Sequence, residues 1–71
     1  MMPPMTRHVV MVNFAQGFAW CDDGTMLPIT NWFDENKEAT SDWREAETFV
    51  AGCGDQWFHG KVADWKTVTI N

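Results

Sequence analysis

At 71 residues, with 45% hydrophobic and 14% aromatic content, the chain suits one small domain and excludes a coiled coil, a repeat array or a two-domain enzyme. Five Trp, five Phe and a charged fraction of only 21% supply enough apolar surface to offset chain entropy, which excludes intrinsic disorder. Ten acidic side chains against five basic ones leave a formal charge of −5, which disfavours a nucleic-acid duplex as partner because phosphate binding draws on clustered Lys and Arg.

In chain order, residues 1–7 read as a flexible N-terminal segment of a single domain spanning 1–71, with Pro3 and Pro4 barring a helix from that end. The apolar run that follows breaks at Asn13, too soon for a secretory leader or a membrane span, so a cytoplasmic protein with reduced cysteines is expected. Residues 8–14 are β-branched and read as a first strand, 18–21 as a second, and 26–32 as a third. Asp23-Gly24 between apolar runs predicts a type I′ hairpin turn, and Pro28 predicts that the third strand is an edge or is bulged there. Two-residue turns at both hairpins would place Val9, Met11, Phe18, Trp20, Leu27 and Ile29 on one face. Val10, Val12, Phe14, Ala19, Cys21 and Met26 would lie on the other, and a change in loop length would flip a strand.

Residues 33–40 read as a polar, acidic loop leading into a helix over 41–51. Ser41 or Asp42 is placed to cap it, Glu45 has capping-box spacing, Gly52 follows as a C′ residue, and Trp43, Ala46, Phe49 and Val50 form one stripe. A fourth strand over 56–63, a turn at Asp64-Trp65 and a fifth strand over 66–70 complete the reading. The fold class this predicts is α+β: a small antiparallel sheet of four to five strands with one amphipathic helix packed on one face.

Several constellations bear on chemistry. Cys21, Cys53, His8 and His59 are zinc-ligand types, but none forms the close pair from which one turn delivers two ligands, so no metal and no cofactor is expected. Cys53 with His59 is the one nucleophile and base pairing worth naming, and a core this thin leaves little room for a water-excluding pocket, so no catalytic residue is assigned. Exported, the chain would instead be open to a Cys21 to Cys53 disulfide. Five Trp exceed what so small a core encloses. Trp20, Trp43 and Phe49 are assigned to the core, while Trp32, Trp57 and Trp65, at strand ends and turns, are assigned to a partner surface. Asp34, Glu35, Glu38, Glu45 and Glu47 concentrate negative charge, which steers the domain toward a basic groove. Val10, Val12, Phe14 and Met26 on one side form a candidate dimer face.

The run Thr30-Asn31-Trp32-Phe33-Asp34, the closing Val50-Ala51-Gly52 and the strand Gln56-Trp57-Phe58 resemble small accessory proteins encoded by bacteriophages and prophages, over residues 26–65. This chain carries Glu35-Asn36-Lys37-Glu38 where the usual form has a Gly- or Asp-rich loop. The resemblance implies no catalytic or metal residues. It implies a non-enzymatic protein that binds and inhibits a host bacterial protein in the host cytosol, as anti-CRISPR proteins do; the short apolar run and the acidic charge add that no membrane and no direct nucleic-acid contact are expected. A phage structural or assembly protein, or a homodimerisation module, is the alternative, and a zinc module or enzyme the third.

Overall fold

The computed structural model describes residues 8–65; the N-terminal segment 1–7 and the strand expected at 66–70 lie outside the described residues. Five strands, β1 (Val9–Asn13), β2 (Phe18–Cys21), β3 (Met26–Phe33), β4 (Thr48–Cys53) and β5 (Gln56–Lys61), pair antiparallel in chain order, and a one-turn helix, α1 (Val62–Trp65), follows. The sheet curls into a half-barrel. The architecture is therefore mostly β, which corrects the α+β expectation. Among the described residues no amphipathic helix lies across this sheet.

The correction centres on residues 41–51. Asp42 does cap, its side chain accepting from the Arg44 N–H, but it caps a single 3-10 turn, Trp43–Glu45. Beyond it the backbone leaves helical geometry at Ala46. The Glu47 N–H donates to the Phe33 carbonyl at 2.7 Å, and the Glu47 carbonyl accepts from the Val62 N–H at 2.9 Å. Thr48, Phe49 and Val50 favour a pleated surface, and pairing with β3 on one side and β5 on the other satisfies their backbone groups across two ladders. Phe49 is thereby buried, while Val50 turns to the opposite face and stays half-exposed.

The first hairpin closes over residues 14–17, with the Gly17 N–H on the Asn13 carbonyl at 2.8 Å and the Gln16 N–H on Asn13 Oδ1 at 2.9 Å. Its register, Met11 opposite Trp20 and Asn13 opposite Phe18, is the one two-residue turns predict, but a bulge between Val9 and Met11 moves Val9 opposite Cys21. The second hairpin differs from expectation. Gly24 has φ +89° while Asp23 is not left-handed, so the turn is not type I′; Trp20 pairs with Met26 and Ala19 with Leu27. That one-residue slip carries Leu27 onto the Val12, Phe14, Ala19 and Cys21 side and leaves Met26 outside with Met11 and Trp20. Trp20, read from sequence as core, thus lies on the outer face.

β3 is central rather than an edge. Pro28 is tolerated because the β3–β4 ladder begins one residue later, at Ile29 opposite Ala51, with a bulge between Ile29 and Asn31. The core on the inner side of the curl comprises Val12, Phe14, Ala19, Cys21, Leu27, Phe49, Ala51 and Val62. Phe49 is its aromatic hub, edge-on to Phe14 at 5.6 Å and tilted against Trp32 and Phe58 at 5.8 and 5.9 Å. Trp43 stacks on Phe14 at 5.4 Å, and Trp65 meets Phe58 edge-on at 6.0 Å. Val62, Ala63, Asp64 and Trp65, read as the end of a strand and a turn, form α1 instead, and Val62 and Trp65 join this packing.

Candidate functional site

The end of the sheet where β3 finishes, β4 starts and β5 finishes is where the acidic side chains gather. After β3 the chain reverses tightly rather than running as an open loop. The Asp34 N–H donates to the Glu38 carbonyl at 2.8 Å, and the Lys37 N–H to the Asp34 carbonyl at 2.9 Å. Asp34 Oδ1 accepts from the Asn36 and Glu38 N–H groups at 2.8 and 3.0 Å. Lys37 takes φ +65°, and Phe33 bridges back to Ala39. Asp34, assigned from sequence to steering, has this oxygen committed to holding the turn.

Two cavities flank this turn. One, of about 340 Å³, is lined by Glu35, Glu45, Ala46, Glu47, Val62 and Ala63. The other, of about 420 Å³, is lined by Phe33, Asp34, Glu35, Lys37, Glu47, Thr48, Val50 and His59. Glu35 and Glu47 line both, so three of the five acids singled out from sequence converge on one cavity, and Asp34 stands at the other. Glu38 is exposed at the base of the turn. Arg44, on the neighbouring 3-10 turn, is paired with Asp42 at 3.1 Å, which holds the Asp42 carboxyl below its ordinary range and raises the guanidinium.

The aromatic assignments divide. Trp57 is 53% exposed; its indole N–H donates to the Gly54 carbonyl at 2.8 Å and its ring lies over Gly52 directly across the β4–β5 pair. Trp32 and Trp65 are half-buried and pack into the core. The proposed dimer face also divides, for the reason of register given above: Val12 and Phe14 are 0% and 2% exposed on the inner side, whereas Val10 and Met26 are 44% and 46% exposed.

The residues considered for metal or catalysis are not brought together. Cys21 is buried in the core, Cys53 is exposed beside the β4–β5 turn, and no disulfide joins them. His59 pairs with Val50 while Cys53 pairs with Gln56, three rungs apart, which places thiol and imidazole about 10 Å apart along the strand. Among the described residues no three His, Cys, Asp or Glu side chains group to hold a metal ion, and no helix is long and apolar enough to cross a membrane.

Sequence reasoning missed Phe33, Thr48, Val50 and His59 as cavity residues. The signal was there in the alternation of residues 48–53 and 56–61, but reading 41–51 as helix placed Val50 beside Phe49 instead of opposite it. By fold the chain is a small antiparallel β-meander with an acidic end. No known protein family, curated protein or solved structure matches it.

Proposed function

We propose that this protein is a non-enzymatic binding module whose acidic end seats on a basic groove of a host bacterial protein and inhibits it by covering that groove, as small phage accessory inhibitors do. One observation carries the reading: Glu35, from the turn after β3, and Glu45 and Glu47, from the segment leading into β4, line a single cavity beside the Asp34 turn. Charges so concentrated set a long-range field that raises the rate of encounter with a basic surface. The exposed ring of Trp57 supplies an aromatic anchor of the kind that dominates binding energy at interface centres.

Capture from bacterial lysate at low and high salt, with wild type and with Glu35, Glu38 and Glu45 all replaced by Gln, tests this. The expected result is a basic partner that wild type binds and inhibits, with association slowed and its salt dependence flattened in the triple variant. Equal capture by the two proteins at low salt removes the proposal. Self-association is a second reading, now resting on Val10, Met11 and Met26, the exposed apolar residues of β1 and the start of β3. Sedimentation over a wide concentration range decides it, a strict monomer ruling it out.

A further inference from the structure

We propose that the 420 Å³ cavity on the outer face receives one arginine side chain of the partner protein. The inference rests on the reading of the acidic end as a protein-binding surface and names what that surface grips.

The cavity is at the small end of ligand-pocket volumes, which suits a single long side chain better than a nucleotide or a drug-sized molecule. Its lining has two kinds of surface. Phe33, Thr48 and Val50, neighbours across the β3–β4 ladder, present carbon, and Glu35 and Glu47 present carboxylates that no described group engages. The lining holds one lysine, Lys37, and one histidine, His59, against three carboxylates including Asp34. An occupant that matches both surfaces has an alkyl stem and a cationic tip. Arginine fits better than lysine: its planar fork pairs with carboxylates in bidentate fashion, stacks on an aromatic face such as Phe33, and is less strongly hydrated than an ammonium.

The walls are built before any partner arrives. The Glu47 backbone is bonded on both sides, to Phe33 and to Val62, and the opposite wall is the turn tied through Asp34. The backbone is therefore set beforehand, and the ordering cost of binding falls on the exposed Glu35 and Glu47 side chains.

The test needs no partner. The full chain is titrated with Nα-acetyl-arginine amide, following backbone amide resonances, in parallel with the lysine and norleucine analogues. Expected is saturable binding with a dissociation constant on the order of millimolar, shifts centred on Phe33, Thr48, Val50 and His59, weaker binding of lysine and none of norleucine. Glu47→Gln, which keeps shape and removes charge, should weaken arginine binding about fivefold, and Val50→Phe, which fills the floor while keeping a strand-favouring side chain, should abolish it. Equal binding of norleucine, shifts centred elsewhere, or an unchanged affinity in Glu47→Gln overturns the assignment. A failed titration beside intact salt-sensitive capture removes the cavity assignment and leaves acidic docking standing. Arginine binding with no captured partner does the reverse.

Discussion

The inner and outer faces of the same strands are built from alternate residues and do different work. Along β4 and β5, Phe49, Ala51, Phe58 and Gly60 point inward and form part of a continuous aromatic packing, while Thr48, Val50, Trp57 and His59 point outward. Inside, ring contacts between 5.4 and 6.0 Å run from Trp43 to Trp65. Outside, Phe33 and Val50 border a cavity shared with carboxylates, and the Trp57 ring lies over Gly52. In so small a domain the two roles cannot be given to separate layers, so the pleat divides them.

The sharpest way to break this comparison is to truncate neighbours on β4. Phe49→Ala should cost about 3 to 5 kcal/mol, a large share of the stability of a domain this size, because it removes the hub of the ring packing. Val50→Ala, one residue along, should cost under about 1 kcal/mol by chemical denaturation. Comparable losses at the two positions would mean the outer face carries the fold as well.

Glycine 60 sharpens the inner side. A Cβ there would meet the Phe58 ring at 2.6 Å and the Phe49 ring at 3.0 Å, directly across the β4–β5 pair. Gly60→Val should therefore destabilise by roughly 1 to 3 kcal/mol as the rings are forced off their rotamers, visible as a lowered thermal midpoint. A neutral outcome would show that the hub has slack.

On the outer side, Trp57→Ala uncovers Gly52 and removes a cross-strand contact, which should cost about 1 kcal/mol or less while shortening the lifetime of the partner complex. Unfolding of this variant would reassign Trp57 from binding to structure. The smallest effect concerns Asp42. Its carboxyl is held below its ordinary range first by the side-chain bond from Arg44, so the stability it contributes is present above the unfolded-state pKa and is lost as pH falls through the lowered folded-state value. Asp42→Asn should lower stability slightly at neutral pH and leave it unchanged at pH below the folded-state value, so that the pH dependence of unfolding flattens across that window.

The local signals were legible where one period fitted. Residues 9–13, 18–21 and 26–33 alternate or are β-branched between turn residues, and they form strands. Asp42 signalled its cap, whereas Glu45 and Glu47, expected on the outer face of a helix, reach the cavity beside Glu35 from a 3-10 turn and the extended chain after it. Faces were harder. Asp23-Gly24 announces a hairpin, but whether its loop holds two or three residues depends on which backbone angles the flanking strands impose, and that single residue decided the side on which Leu27 and Met26 lie.

By itself, then, the sequence determined an acidic composition, the first three strands, the places of the two hairpin turns that join them and the residue types from which a binding surface would be made. It did not determine the state of residues 48–53. A short run such as Thr48-Phe49-Val50-Ala51 satisfies a helical stripe and a strand alternation equally well, because it is shorter than the length over which the two periods diverge. Tertiary pairing settled the matter: with β3 on one side and β5 on the other, the strand bonds its backbone across two ladders and buries Phe49 at once, whereas a helix would leave the edges of both neighbours unpaired.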